Sequence, residues 1–286
     1  MRARGRCWKR AGWGRHRAPR SPAVLWCEAY VAHRSVTFPN PGAKPPEMKR
    51  WIAERYLDLL GSIYIYNEHR GYTALDRVLE AVKAKHPEAT EFIAAVEKHR
   101  ADERKHYVMF KRWFELRGTM PIALDRAFGH IDRFIEITFG TPIDNLDTKA
   151  IVASDDLFER LCRVVSLTEK RGLKQVDVLL TKSVVRNDKA LLRIFEVVHV
   201  DEPSHFEPYD KWLADNARRQ PSRWERWIDR MIHSELLFIK LPLLFAWLGA
   251  PRRTEWADAG EANARPRPIR AASAQAGAPG LAVAAE

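Results

Sequence analysis

The chain has 286 residues, of which 46% are hydrophobic and 30% charged, with three cysteines. This composition excludes a disordered, a collagen-like and a disulfide-stapled protein, and the length suits one large domain or two small ones. The net charge of +11 does not indicate a nucleic-acid partner, because residues 1–47 hold ten basic and two acidic residues whereas residues 48–250 are nearly neutral.

Both ends of the chain differ from its centre. Residues 1–47 are rich in Arg, Trp, Pro and Gly and end in a proline-rich run, residues 40–46, that we expect not to be helical. We interpret them as a basic extension, either disordered or upstream of a native start at Met48, with a targeting peptide as a third alternative. Residues 251–286 are rich in Ala, Gly and Pro, and we predict a disordered tail there.

The predicted domain, residues 48–250, reads as helix almost throughout, because few glycines or prolines interrupt it and apolar residues do not alternate as in strands. In chain order, we predict helices over residues 49–85, 87–118, 121–139, 154–185, 188–216 and 222–248. Long rods with short connections pack as an antiparallel bundle. The predicted fold is therefore all-α: a four-helix bundle with an additional connecting helix and a C-terminal helix. Its single cysteine, Cys162, fits a reducing cytoplasm.

Two of the long helices carry the motif Asp-Glu-x-x-His, at residues 102–106 and again at 201–205. A further glutamate precedes each motif: Glu68 lies 35 residues before Glu103, and Glu169 lies 33 residues before Glu202. That separation takes the chain up one rod and back down the next, so each pair of glutamates returns to the same level. The chain thus contains the same unit twice: a glutamate on one helix, then Asp-Glu-x-x-His on the next.

Residues i and i+3 share one face of a helix, so the glutamate and histidine of each motif can point at the same interior point. Two such hairpins facing each other would place four carboxylates and two imidazoles inside the bundle. Unpaired charges in an apolar interior each cost several kcal/mol. Two divalent cations would neutralise the four carboxylates, and this mixture of oxygen and nitrogen ligands suits iron, with manganese as the alternative.

The repeated pattern Glu…Asp-Glu-x-x-His resembles that of the ferritin-like di-iron carboxylate proteins, which include rubrerythrins, acyl-carrier-protein desaturases, bacterial monooxygenases and arylamine N-oxygenases. The resemblance covers roughly residues 50–215. It implies six ligands to two irons: the bridging Glu103 and Glu202, then Glu68 with His106, and Glu169 with His205. It also implies that Asp102 and Asp201 hydrogen-bond the ligand histidines and fix their orientation.

Some further residues have two interpretations. His99 and His199 each lie near the face of a motif glutamate, and both are candidate extra ligands. The N-oxygenases have an additional histidine one turn before a bridging glutamate, a position that Val198 occupies here. Tyr64, one turn before Glu68, is a candidate neighbour of the metal site or a packing residue. The third Glu-x-x-His match, which begins at Glu196, has no preceding aspartate, and we interpret Glu196 as a non-ligand.

The apolar run at residues 236–248 is too short to span a bilayer. We favour packing on the bundle or at a homodimer contact over peripheral membrane attachment.

These features predict a non-haem di-iron oxygenase or oxidase that activates O₂ to oxidise a small organic substrate. It would take electrons from an external donor such as a ferredoxin. The alternatives are a ferroxidase, iron-storage or peroxide-scavenging protein, a tRNA-modifying enzyme, which the near-neutral core disfavours, and a metal-free helical interaction module.

Overall fold

The computed structural model describes residues 45–217 and 222–261. Within these ranges the chain is all-helical, and the one pairing of extended backbone is an isolated bridge between Ile122 and Arg252. The predicted all-α class is therefore confirmed. Most of the basic extension and of the tail lies outside the described residues. Of the helices described, none is both long enough and apolar enough to cross a membrane.

Helices account for most of the described chain. In chain order they are α1 (Pro45–Lys85), α2 (Thr90–Leu116), α3 (His130–Phe139), α4 (Thr148–Ala153), α5 (Asp155–Thr181), α6 (Ser183–Asn187), α7 (Lys189–Asp201), α8 (Pro203–Asn216), α9 (Arg223–Glu235) and α10 (Leu241–Ala246). A π-helical turn, Leu236–Lys240, joins α9 to α10.

Side-chain caps fix several of the helix starts. Ser154 accepts a hydrogen bond from the backbone N–H of Leu157, as its sequence position predicts, and Asp188 caps α7 in the same way. Ser222 and Glu225 form a reciprocal capping box at the start of α9.

The first helix begins earlier than predicted. The run at residues 40–46 was expected not to be helical, yet α1 begins at Pro45. The first-turn N–H groups of a helix have no intrahelical acceptor, so proline loses nothing there.

The connection between α2 and α5 contains the largest error in the predicted helices. A helix was expected from residue 121, but the regular helix α3 begins only at His130. The backbone N–H groups upstream are engaged elsewhere: Ile122 donates to the Ser62 hydroxyl and Ala123 donates to the Pro251 carbonyl. These tertiary partners hold residues 121–125 in a non-helical path.

The predicted helix over residues 188–216 is divided at Glu202. Pro203 follows this glutamate and has no N–H to continue the helical hydrogen bonds, so α7 ends at Asp201 and α8 begins at Pro203. Glu202 keeps helical dihedral angles (φ −50°, ψ −43°), so the two segments form one continuous rod, which we call the α7–α8 rod. Similarly, α5 ends at Thr181 because Lys182 adopts an extended conformation.

The apolar core consists mainly of two clusters, one around Trp113 and one around Trp212. All four long rods pass from one cluster to the other, and the flanking residues are Tyr72 and Ala74 on α1, Val96 and Tyr107 on α2, Val165 and Val176 on α5, and Val198 and Tyr209 on the α7–α8 rod. All six predicted ligands lie between or within about one helical turn of these boundaries. They therefore occupy a polar layer between the clusters.

The order of the clusters gives the direction of each rod. The Trp113 cluster comes first on α1 and on the α7–α8 rod, and second on α2 and α5. Hence α1 and the α7–α8 rod run one way and α2 and α5 the other. Since α2 and α5 are parallel, the chain must return along the bundle between them. On that return path, α3 and α4 contact both α1 and α5.

The packed part of the chain extends beyond residue 250, where the tail was predicted to begin. Asp258 is 2% exposed and accepts hydrogen bonds from the Tyr107 hydroxyl and the Lys111 ammonium group on α2. Glu261 accepts a hydrogen bond from Tyr72 on α1. Residues 251–261 are thus tied to the first hairpin by buried polar contacts, which composition alone does not reveal.

Candidate metal centre

The polar layer brings together all six predicted ligands. Glu68 projects from α1, Glu103 and His106 from α2, Glu169 from α5, and Glu202 and His205 from the junction of α7 and α8. Both histidines are completely buried, and Glu68, Glu103 and Glu202 are 6–7% exposed. The repeated unit therefore converges on one interior site.

The ligand atoms form two overlapping groups that share Glu103. Glu68, Glu103 and His106 offer atoms that all lie within 4.8 Å of one another, and so do His99, Glu103, Glu169 and His205. A carboxylate common to both groups has the position of a bridging ligand between two cations. Glu202, the other predicted bridge, lies beside the second group, with its Oε2 3.7 Å from His205 Nδ1.

His99 lies within the second group. Its Nε2 is 3.6 Å from Glu169 Oε1 and 3.7 Å from Glu103 Oε1, and its ring stacks on that of His205 with 4.2 Å between the centroids. Burial and the neighbouring His205 lower the pKa of His99 well below its ordinary value. A neutral imidazole can donate a lone pair to a cation, so His99 fits the role of an extra ligand.

The second candidate extra ligand, His199, lies outside the site. Its side chain is 42% exposed, and its Nε2 contacts Asp177 on the surface. The prediction for His199 is therefore wrong: adjacent positions on a helix differ by about 100°, so its ring points away from the layer although Val198 points inward. Glu196 is also exposed and pairs with Arg193, consistent with a non-ligand.

The two aspartates exchange partners across the site. Asp201, from the second motif, accepts a 2.9 Å hydrogen bond from Nε2 of His106 in the first motif. Asp102, from the first, lies 3.6 Å from Nε2 of His205 in the second. Each aspartate thus faces the histidine of the other motif, between α2 and the α7–α8 rod, and the predicted hydrogen bond is formed by Asp201 to His106 but not by Asp102 to His205.

Lys105 was not identified from the sequence, and it joins the two aspartates. Its ammonium group lies 2.7 Å from Asp102 and 2.6 Å from Asp201. Although burial opposes it, contacts with His205 and Lys105 hold the pKa of Asp102 far below its usual range. Both aspartates are therefore held as anions behind the histidines.

The layer carries more carboxylate than its surroundings neutralise. Burial and the nearby Glu103 raise the pKa of Glu68 to about 7 and that of Glu169 to about 8. Burial and Glu169 raise the pKa of Glu202 well above its usual value. Protons therefore occupy this layer unless cations replace them.

Several buried atoms of the site lack hydrogen-bond partners in the described part of the chain: His106 Nδ1, both ring nitrogens of His205 and of His99, and Glu202 Oε2. Because Asp201 accepts the Nε2 proton of His106, the lone pair of a neutral His106 would lie on Nδ1, which faces Glu68 at 3.3 Å. Buried polar atoms without partners are costly. A cation pair would satisfy them, so this donor set fits two divalent metals.

Tyr64 borders the site without bonding to it. Its ring packs on Phe110 and Phe195, and its buried hydroxyl has no hydrogen-bond partner within the described ranges. Burial and the nearby Glu68 raise the pKa of Tyr64 well above its ordinary value. Tyr209, a tyrosine that the sequence did not single out, has a similarly buried and unbonded hydroxyl near His99.

Two glycines that make room for the glutamates were also missed. A Cβ at Gly71 would lie 2.1 Å from Glu103 Oε2, and a Cβ at Gly172 would lie 3.0 Å from Glu202 Oε1. Each glycine follows a predicted terminal ligand by three residues, in a repeated Glu-x-Arg-Gly sequence at residues 68–71 and 169–172. This second internal repeat is the signal that could have found them.

The arginines of that repeat hold additional helices onto the bundle. Arg70 donates hydrogen bonds to Asp132 on α3, and Arg171 donates to Asp229 on α9. Both aspartates are buried. The residues next to each glycine thus fix the helices that surround the site.

A cavity of about 100 Å³ adjoins the carboxylates. Glu68, Glu103, Glu169 and Glu202 form part of its lining, and α1, α3 and α5 supply most of the remainder. The apolar part of the wall comprises Ile63, Ala74, Leu75, Val78, Ile131, Ile135, Ile143, Leu161, Val165 and Leu236. A small apolar molecule could therefore lie against the carboxylate layer.

The chain matches no protein-family model, no curated protein and no solved structure. Its function must therefore be argued from the site.

Proposed function

We propose that this chain is a non-haem di-iron oxygenase or oxidase with a ferritin-like fold, which activates O₂ to oxidise a small organic substrate. The observation that carries the proposal is the pair of buried ligand groups sharing Glu103 beside an apolar cavity. Glu68, Glu103, Glu169, Glu202, His106 and His205 would hold the two metals, with His99 as a seventh ligand.

The path of the chain supports the ferritin-like fold. Ferritin-like bundles have four core helices and one long crossover connection, and their metal ligands project inward from facing helices. Here α1 and α2 form one antiparallel pair, α5 and the α7–α8 rod form the other, and residues 117–154 make the long crossover between them. In this proposal α3 is the additional connecting helix, and α9 with α10 is the C-terminal addition.

The cavity favours organic oxidation over iron storage. A ferroxidase must admit hydrated ferrous ions, for which a polar path is suited. Most of the surface of the cavity beside Glu68 and Glu169 is instead apolar, although polar side chains such as Asn67 and Gln175 also line it. Such a wall orients an apolar substrate and keeps water away from the reacting atoms.

The proposed chemistry needs an electron source. Hydroxylation of R–H consumes O₂, two electrons and two protons, and it yields R–OH and water. A di-iron pair would supply the O₂ chemistry when bound, and an external donor such as a ferredoxin would supply the electrons. The protein contributes oriented ligands: Asp201 holds His106 by a hydrogen bond, Asp102 faces His205 at 3.6 Å, and Lys105 contacts both aspartates.

Metal analysis tests this proposal directly. Purified protein should bind about two iron ions per chain after anaerobic loading. Glu103→Ala and His205→Ala should each lose most of this metal while retaining the helical circular-dichroism spectrum. Glu196→Ala and His199→Ala, which change the exposed third Glu-x-x-His match, are the matched controls and should bind normally. Full metal binding by both site variants would overturn the assignment.

A second experiment separates organic oxidation from ferroxidase activity. Ile135→Trp would fill the cavity without touching a ligand. We expect the ferrous-loaded wild type to consume O₂ faster with small apolar compounds, and the variant to lose this stimulation while keeping its metal. Equal stimulation of both proteins, or none in either together with rapid oxidation of excess ferrous ion, would favour iron oxidation or storage instead.

A further inference from the structure

Helices α9 and α10 and the turn between them expose a broad apolar surface. Its main side chains are Trp224, Trp227, Phe238, Ile239, Leu243 and Trp247, which we call the C-terminal apolar surface. Phe238 is 76% and Leu243 65% exposed, and the rings of Trp224 and Trp227 stack on one another. Exposed apolar residues are normal when scattered singly, but these six within residues 224–247 indicate a contact site.

The surface belongs to a fixed part of the fold. On α10, Leu244 is buried and Phe245 packs against Trp51 of α1. Arg55 donates hydrogen bonds of 2.8 Å to the carbonyl oxygens of Leu244 and Trp247 at the end of α10. The inner side of the segment therefore packs on the bundle, as the sequence predicted, while the outer side remains uncovered by the described residues.

The acidic and basic residues of this segment differ in their exposure and pairing. Its acidic residues point inward or are neutralised: Glu225 pairs with Arg163, Asp229 with Arg171, and Glu235 with Lys240. Three exposed arginines, Arg223, Arg226 and Arg230, have no ion pair in the described part of the chain. The exposed side of α9 thus carries apolar and basic side chains, and the acidic residues of the helix are buried or paired.

This charge pattern argues against two possible occupants. A second copy of the chain would bring like-charged arginines together across a two-fold contact. The segments outside the described residues are also basic: residues 1–44 carry ten basic residues and one acidic residue, and residues 262–286 carry three and one. The complementary partner is therefore anionic and able to accept large aliphatic and aromatic side chains.

We propose that the C-terminal apolar surface binds the face of an anionic phospholipid bilayer. Tryptophan is suited to the lipid headgroup region, where Phe, Ile and Leu can enter the acyl boundary and arginine pairs with anionic headgroups. Helix α9 carries both kinds of side chain: Trp224 and Trp227, which suit the headgroup region, and three arginines, which can pair with anionic headgroups. This inference concerns a surface separate from the metal centre and does not depend on it.

Vesicle flotation of the full-length chain tests the proposal. The protein should float with vesicles of phosphatidylcholine and phosphatidylglycerol, and much less with phosphatidylcholine alone. The double variant Phe238→Ser, Leu243→Ser should bind roughly a hundredfold more weakly, since each large side chain contributes about tenfold or more. The triple variant Arg223→Glu, Arg226→Glu, Arg230→Glu should lose the preference for anionic vesicles.

Matched substitutions elsewhere on the surface provide the controls. Val200→Ser and Val178→Ser remove exposed apolar side chains from α7 and α5, and Arg186→Glu reverses an exposed charge on α6. We expect all three to bind vesicles like the wild type. Hydrogen exchange of the wild type provides a second measurement that needs no variant: vesicles should slow exchange over residues 222–248.

Three outcomes would overturn the proposal. One is no flotation with anionic vesicles at either low or physiological salt. Another is flotation that all the surface variants retain, which would place lipid binding elsewhere in the chain. The third is a wild-type dimer in analytical ultracentrifugation that Phe238→Ser with Leu243→Ser dissociates, without vesicle binding, which would make this surface a contact between copies.

Discussion

The two halves of the candidate metal centre use the same motif in different surroundings. In the first half, Glu103 belongs to both ligand groups and lies within the unbroken helix α2. In the second half, Glu202 lies where Pro203 divides the rod, and it belongs to neither group. One turn before these glutamates, the first half has His99 and the second has Val198. The repeat therefore fixes which residues converge, while local differences make the two candidate metal positions unequal.

This inequality has a chemical consequence. The group containing His99 offers two imidazoles and two carboxylates, whereas the other offers one imidazole and two carboxylates. A metal held by the group that contains His99 would have more nitrogen ligands and fewer open coordination sites than a metal held by the other group. We expect the two positions to differ in affinity and in access for O₂.

The glycine repeat gives the largest expected effect. In Gly71→Ala the new Cβ would lie 2.1 Å from Glu103 Oε2, so the shared carboxylate must move. We expect metal affinity to fall by more than about 100-fold, the upper end of what loss of a supporting contact costs. The helix should still form, because alanine is favoured over glycine in a helix by about 1 kcal/mol. Titration with ferrous ion under anaerobic conditions measures the loss.

Gly172→Ala is the matched substitution in the second half. Its Cβ would lie 3.0 Å from Glu202 Oε1, which a small rotation of the glutamate relieves. We expect a weaker loss of metal than in Gly71→Ala. Equal effects of the two alanines would contradict the greater role assigned to Glu103.

The aspartates give the next largest effect. Asp201→Asn would keep the shape but remove the charge that holds His106, and metal affinity should fall about 10- to 100-fold. Asp102→Asn should cost less, because Asp102 lies 3.6 Å from His205, beyond direct hydrogen-bond distance. Competition with a chelator measures both affinities. The reverse order would show that the cation site relies mainly on His205.

The sequence could predict which carboxylates and imidazoles converge, because their spacing is a property of helices. Residues three apart share a face, and a hairpin of two long helices returns Glu68 to the level of Glu103. The exchange of aspartates between the motifs could not be predicted, since it depends on how α2 lies against the α7–α8 rod. The non-helical path at residues 121–125 and the packed segment at residues 251–261 depend on tertiary partners such as Ser62 and Asp258.

Removing the extra imidazole tests the inequality itself. His99→Ala should weaken one of the two proposed metal positions by about tenfold and leave the other unchanged, because His99 is a member only of the group with Glu169 and His205. Two-step metal titration, followed optically with cobalt, should resolve the two sites. Val198→Ala, the equivalent change in the second half, should leave both steps in place. A single uniform loss in His99→Ala would show that the positions are not distinct.

Metal uptake should also release protons. Burial and Glu103 raise the pKa of Glu169 to about 8 and that of Glu68 to about 7, so both carboxyls hold protons for part of the time near neutral pH. A cation requires the deprotonated form, and its binding should therefore acidify a weakly buffered solution and should weaken as the pH falls below about 7. Calorimetry in two buffers of different ionisation enthalpy measures the number of protons. Metal binding without proton release would contradict the conclusion that Glu68 and Glu169 hold protons in the metal-free protein.

The smallest effect concerns the salt bridges of the Glu-x-Arg-Gly repeats. Although burial opposes it, contacts with His130 and Arg171 lower the pKa of Asp229 to about 2. A carboxyl with a depressed folded pKa stabilises the protein above its unfolded value, about 3.9, and loses that contribution as the pH falls toward 2. Asp229→Asn should therefore lower the free energy of unfolding by on the order of 1 kcal/mol at pH 7, after allowance for solvent screening.

The difference in unfolding free energy between the wild type and Asp229→Asn should become progressively smaller between about pH 4 and pH 2, because protonation of the wild-type carboxyl abolishes the same charge. Urea unfolding at several pH values measures it, with Asp177→Asn as an exposed control that should show little change. A deficit independent of pH would mean that the Asp229 side chain acts through packing, and that the second arginine of the repeat does not hold α9 by charge.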